Sequence, residues 1–137
     1  MNDRGSVLPL IAGLLALAGV FAVAVIDSTD LSLTRSELQS VADAAALAAA
    51  QDVNPTTATI SDGHLSFAIT RSAARRDVRS YLDASAATGT VIRSVTVPDG
   101  RTVVVTLSRQ WRAPLDSDFI PIRMRVTATA RARTLFD

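Results

Sequence analysis

The sequence predicts an α+β protein in which one long N-terminal helix carries a small domain with a second helix and a three-stranded antiparallel sheet. Three observations support this prediction. The run from Val7 to Ile26 has no charged residue, an Ala-rich helical pattern continues from it to about Ala50, and the last third alternates apolar and polar residues. A helix of about 20 residues covers the roughly 30 Å hydrocarbon core of a bilayer. The first run is therefore predicted to span a membrane.

Composition limits the function classes. The net charge of +1 gives no bulk attraction for nucleic acid, and the absence of cysteine rules out a disulfide framework and thiolate chemistry. Of the 137 residues, about 50 fall in the predicted helix, so the remainder suffices for one small domain with a modest core.

The charges that flank the apolar run predict its orientation. Arg4 and the α-amine precede the run, whereas Asp27 and Asp30 follow it. By the positive-inside rule the N-terminus lies in the cytoplasm and the chain crosses the cytoplasmic membrane once. The predicted segments are a cytoplasmic start (1–6), a transmembrane helix (7–26), an extracytoplasmic continuation of that helix (27–52) and a small extracytoplasmic α+β domain (53–137).

A removed signal peptide is the alternative. The triplets Ala16-Leu17-Ala18 and Ala22-Val23-Ala24 both satisfy the small-x-small cleavage pattern. The apolar run is longer than a typical signal, and helical sequence continues directly beyond it, which favours retention. If the helix were removed, the chain would be a secreted or periplasmic binding module that contacts its ligand through an arginine-bearing sheet face.

The continuation of the helix carries a line of apolar and small residues at alternating spacings of three and four. Such an a/d-like line suits close approach of another helix or a sheet. The residues of this predicted packing seam are Leu31, Thr34, Leu38, Val41, Ala45 and Ala48. Pro55 disfavours helix at the preceding residue, so the helix is expected to end near residues 51–54.

A connection over residues 53–65, with a turn at Asp62-Gly63, is expected to lead to a second helix from about Ser66 to Ala87. One side of that helix is apolar, and Gly89 is a natural stop. The apolar residues are Phe67, Ala74, Val78, Tyr81 and Leu82. His64 falls in the predicted connection and is expected to be a solvated loop residue.

Three strands are predicted near residues 91–97, 101–112 and 122–133, with Pro98-Asp99-Gly100 as the first turn. In the first strand, Val91, Val95 and Val97 are expected on one face. The last strand should turn one apolar face inward and a row of arginines outward. These arginines are either a partner surface or protection of a sheet edge against aggregation, and the sequence favours neither. They are Arg123, Arg125, Arg131 and Arg133.

No motif for catalysis is present. The sequence has no Gly-rich phosphate loop, no GxSxG, no HExxH and no cysteine pair, and Asp116 with Asp118 is too sparse for a calcium loop. We therefore predict no catalytic, cofactor-binding or metal-binding residues, no small-molecule substrate and no enzyme activity.

The segment Arg4-Gly5-Ser6, the apolar helix and the run LQSVADAAALAAA over residues 38–50 resemble the Flp/Tad pilus-assembly proteins of the TadE/TadG-like type. The resemblance implies a pilin-like arrangement and a structural role as a minor pilin, pseudopilin or assembly factor, and the short chain favours the TadE-like type. It implies the membrane, other pilus-assembly proteins and further copies of the chain as partners. Cleavage between Gly5 and Ser6 would be similar to prepilin processing, although Leu10 stands where type IV pilins usually have Glu.

Overall fold

The structure is a computed structural model that describes residues 7–52, 58–61, 64–114 and 122–134. Within these residues, two helices and five strands follow one another. They are α1 (Val7–Gln51), β1 (Ala58–Ser61), β2 (His64–Phe67), α2 (Arg71–Ala84), β3 (Thr90–Thr96), β4 (Thr102–Arg112) and β5 (Arg123–Arg133). The predicted α+β fold with a long N-terminal helix, a second helix and a three-stranded antiparallel sheet is confirmed.

Helix α1 runs through 45 residues without interruption. The polar step after Ile26 does not break it, because the hydroxyls of Ser28 and Thr29 donate hydrogen bonds to the carbonyls of Ala24 and Val25 at 2.7 and 2.9 Å. Polar side chains satisfied in this way remain compatible with the helical backbone. The apolar run and its Ala-rich continuation therefore form one continuous helix.

The start predicted for the second helix was wrong. Ser66 and Phe67 lie in β2, which pairs antiparallel with β1, and His64 begins the same strand instead of lying in a loop. Helix α2 begins only at Arg71, where the hydroxyl of Thr70 accepts a hydrogen bond from the backbone amide of Ala73 at 3.3 Å and caps the first turn. Strand pairing outside the cap thus overrides the helical periodicity of these residues.

Strands β3, β4 and β5 form one antiparallel sheet with β4 in the centre. Gly100 has a φ of 70°, which the turn between β3 and β4 requires. Asp99 fixes the same turn by accepting hydrogen bonds from the hydroxyl of Thr102 and from the amides of Arg101 and Thr102. Because these bonds, that of the Thr102 hydroxyl above all, stabilise the carboxylate, the pKa of Asp99 is lowered to about 2.

Strand β3 departs from the predicted alternation. Its register with β4 shifts between Ile92 and Ser94, so that a bulge changes which side chains face inward. Ile92 packs against the core together with the buried Val95, whereas Val91 is 55% exposed. The expectation that Val91 and Val95 share one face was therefore wrong.

The core lies between the second half of α1, helix α2 and the inner face of the sheet. Alanines dominate the contribution of α1, and their short side chains let the helix lie close to the sheet. The buried residues of α1 are Leu38, Ala42, Ala45, Ala46, Ala49 and Ala50. The sheet supplies larger partners, including Val103, Val105 and Leu107, all fully buried.

Replacing Ala46 with Leu should overfill this contact. Ala46 is fully buried, so the added atoms force α1 away from the elements packed against it and should lower the free energy of unfolding by about 1–3 kcal/mol. Ser40→Leu, at an exposed position of the same helix, should change it by about 0.5 kcal/mol or less. Thermal unfolding in detergent, followed through the fluorescence of the single tryptophan, measures both. Equal stability of the two variants would contradict close packing at Ala46.

Candidate functional site

Helix α1 divides into two parts with different surroundings. Its first part is long and apolar enough to cross a bilayer, and none of that apolar window is buried within the protein. Leu8 and Leu14 are 76% and 67% exposed. From Leu38 onward the same helix contributes buried residues to the domain core. The helix thus joins an uncovered apolar surface rigidly to a folded domain.

Polar contacts hold the second part of α1 at defined heights on the sheet. Gln39 donates a hydrogen bond to the carbonyl of Thr129 at 3.2 Å, and Glu37 forms a salt bridge with Arg109 at 3.4 Å. The guanidinium of Arg109 also donates to the hydroxyl of Thr90, on β3. These contacts fix the position of α1 along the length of the sheet.

The contact nearest the apolar run joins Trp111 to Asp30. The indole nitrogen of Trp111 donates to Oδ2 of Asp30 at 2.7 Å, and Trp111 is only 6% exposed. A buried indole N–H requires an acceptor, and a carboxylate provides a strong one. Asp30 lies four residues after Ile26, so this contact ties the sheet to α1 about 6 Å beyond the apolar run.

Asp27 stands one turn closer to the apolar run. Its Oδ1 is buried and has no hydrogen-bond partner among the described residues. With Trp111 and Asp30, it places polar and aromatic groups where the predicted span ends. Tryptophan is enriched at this level of membrane proteins, because its ring is apolar and its N–H is polar.

At the opposite end of the domain, two carboxylates meet where α1 approaches α2. Burial raises the pKa of Asp77, and the neighbouring carboxylate of Asp52 raises it further by charge repulsion and by a hydrogen bond. Arg76 offsets part of this effect. The folded state therefore favours the protonated form of Asp77.

The predicted packing seam faces the chain's own domain. Leu38 and Ala45 are fully buried, and the other four residues (Leu31, Thr34, Val41 and Ala48) are partly buried. The buried stripe is wider than the predicted line, because Ala42, Ala46, Ala49 and Ala50 also belong to it. Contacts of the seam with another protein stay a prediction.

All four arginines predicted as a partner surface are exposed on β5, an edge strand of the sheet. They form two separate pairs. Arg123 and Arg125 lie near Trp111, whereas Arg131 and Arg133 pair with the other end of β4. Gly5 and Ser6, the predicted processing site, lie outside the described residues.

Helix α2 and the edge strand β3 border an open groove of about 460 Å³ that includes Arg75, Arg79, Thr90 and Val91. Within the described part of the chain, no three His, Cys, Asp or Glu residues are grouped as metal ligands would be.

Residues 5–52 match the Tad family model, whose description is Flp pilus-assembly TadE/G-like. The N-terminal helix is similar to the segment that this family model describes. The resemblance found in the sequence is confirmed over this part of the chain, which coincides with α1. Comparison with curated proteins gave no match, and comparison with solved structures gave none either.

The contacts of Trp111 with Asp30 and of Asp77 with Asp52 are among those that the sequence did not predict. Each joins residues far apart in the chain. The sequence did offer one signal for the first contact, since Trp111 falls on the inward face of its strand and its N–H would need an acceptor there.

Removing the acceptor for Trp111 should destabilise the protein. Asp30→Ala leaves the buried indole N–H unpaired and should lower the free energy of unfolding by about 1–3 kcal/mol, whereas Asp30→Asn keeps an acceptor oxygen and should lower it less. Asp43→Ala, which removes an exposed carboxylate bound to Gln39, serves as the control. Chemical unfolding in detergent measures the three variants, and an Asp30→Ala protein as stable as Asp43→Ala would contradict a structural role for the contact.

The raised pKa of Asp77 predicts a dependence of stability on pH. Its protonated form is favoured in the folded state, so this contribution is fully present below the ordinary value of 3.8 and is lost as the pH rises through the raised pKa. Asp77→Asn should therefore be more stable than the parent at neutral pH and about equal to it in acid. Melting temperatures across this pH range measure the difference, and Asp83→Asn, exposed on the same helix, should show no such gain.

Proposed function

We propose that this protein is a structural or assembly component of a Tad (Flp) type pilus or a related envelope secretion system. It acts by helix packing and protein–protein contact, and it performs no catalysis. The observation that carries the proposal is the coincidence of the TadE/G-like match with α1, a helix that has both an uncovered apolar part and a part in the domain core.

The proposed role follows from the mechanics of α1. A continuous helix transmits position and orientation between a bilayer and the domain, because the contacts at Asp30, Glu37 and Gln39 prevent it from sliding on the sheet. We propose that residues 1–6 lie in the cytoplasm, 7–26 span the cytoplasmic membrane, and 27–52 and 53–137 lie outside it. The small domain is then held at a fixed height above the membrane.

Two surfaces are available for assembly partners. On α1, Leu33 and Leu47 are 59% and 49% exposed and face away from the protein's own core. On β5, the exposed arginines offer charge to an acidic partner. We propose that partners are other pilus-assembly proteins or further copies of this chain.

The second candidate is a secreted or periplasmic binding module whose N-terminal helix is a removed signal. Cleavage after Ala18 or Ala24 would leave every buried residue of α1 in the mature chain. The intact mass of the protein from the membrane fraction distinguishes the candidates. A mature chain that begins at Gly19 or Val25 would contradict the anchored component, and a chain that begins at Ser6 would support processing after Gly5.

In the source organism, deleting the gene should abolish or reduce pilus assembly and adherence, and the intact gene should restore both. A photocrosslinker placed at Leu33 or Leu47 should capture identified pilus-assembly proteins, or a second copy, when pili are being built. The same probe at Ser80, exposed on α2, is the matched control. Normal piliation without the gene would count against the proposal.

A further inference from the structure

At the end of the sheet nearest the apolar run of α1, three arginines of the described strands lie close together. Arg112, Arg123 and Arg125 are all exposed. In the register of β4 with β5, Arg112 stands opposite Arg123, and Arg125 stands opposite Gln110. Residues opposite each other, or two apart on one strand, share a face, so the three guanidiniums form one patch on the outer face.

Apolar side chains lie at the same end of β5, on the face opposite the basic patch. Ile122 and Met124, at the same end of β5, are 44% and 45% exposed. Farther along β5, Val126, Ala128 and Ala130 are buried against the core. An end of a sheet that exposes arginines on one face and apolar groups on the other suits the boundary between lipid headgroups and acyl chains.

The contacts with α1 place this patch at the height of the headgroups. Three contacts along the sheet meet α1 at positions successively nearer the apolar run. Thr129, the partner of Thr106 on β4, accepts a hydrogen bond from Gln39. Farther along β4, Arg109 pairs with Glu37, and Trp111 then donates to Asp30. The strand therefore descends toward the apolar run as it approaches Arg112. Since Asp30 is about 6 Å beyond that run, the patch lies within a Debye length, about 8–10 Å, of the predicted membrane surface.

The acidic residues nearby do not cancel the charge of the patch. Among the described residues, Asp27 and Asp30 lie at this height, but both are partly buried on α1 and Asp30 accepts the hydrogen bond from Trp111. The three guanidiniums face outward on the opposite face of the sheet. Within the part of the chain that the structure describes, the outer surface at this end is therefore positive.

We propose that Arg112, Arg123 and Arg125, with Ile122 and Met124, form a membrane-docking rim that binds anionic lipid headgroups and holds the domain upright on the bilayer. The proposal rests on the membrane anchoring in the proposed function and does not depend on the pilus role. It gives the two arginine pairs of β5 different binding partners. The lower pair binds lipid, whereas Arg131 and Arg133, about 26 Å farther along the strand, remain available to other partners.

The absence of cysteine allows a single reporter to be placed in the rim. The full chain with Met124→Cys, labelled with the polarity-sensitive fluorophore NBD, is reconstituted into vesicles of phosphatidylcholine, with or without about one third phosphatidylglycerol. Emission should increase and shift to the blue when the anionic lipid is present, and high salt should reverse the change.

Two double variants of the labelled chain decide the assignment. Each arginine near an anionic surface contributes a factor of about five to docking, so Arg123→Gln/Arg125→Gln should reduce the docked-to-undocked ratio about 25-fold. The matched control, Arg131→Gln/Arg133→Gln, removes the same charge from the same face of the same strand and should retain the response. Circular dichroism establishes that both variants are folded.

The outcomes separate this proposal from the anchored function. An emission spectrum that does not depend on anionic lipid, or an equal loss in both double variants, would overturn the docking rim and leave the anchor intact. Flotation with vesicles of phosphatidylcholine alone reports the anchor itself. A chain that fails to float with them would overturn both.

Discussion

The structure depends on the close packing of the alanines of α1 against the sheet. Burial of Ala42, Ala45, Ala46 and Ala49 brings the helix backbone near β4 and β5, and this contact closes the core of a domain that has few large side chains. Without the second part of α1, the inner face of the sheet would lose its main cover. The helix that is exposed at one end is thus indispensable to the fold at the other.

The two parts of α1 need different surroundings, and this arrangement allows both. The first part can satisfy its apolar surface only in lipid or against other apolar helices, whereas the second part is covered by its own domain. The polar contacts at Asp30, Glu37 and Gln39 select one position of α1 along the sheet, because contacts between alanines alone would allow several positions. Together, the buried alanines and the polar contacts fix α1 at one position on the sheet.

Much of the fold could be predicted from the sequence because its elements have regular periods. The uncharged run, the alternation in β4 and β5 and the Pro-Asp-Gly turn are local signals, and each element they predicted is present. The failures occurred where local signals compete. Ser66 and Phe67 fit a helical face but pair as strand β2, and the bulge in β3 moves Val91 to the exposed side.

By itself, the sequence determined that a membrane-compatible helix continues into an Ala-rich segment similar to the TadE/G-like model. It also determined that a small α+β domain follows. Both could be predicted because hydrophobic period and helix propensity depend on consecutive residues. Only the tertiary structure decided which side of α1 is buried, that Trp111 meets Asp30, and that the arginines of β5 separate into a pair near the apolar run and a pair far from it. These relations join residues distant in the chain. They follow from the register between strands and from the height at which α1 lies on the sheet, and neither is encoded in any single segment.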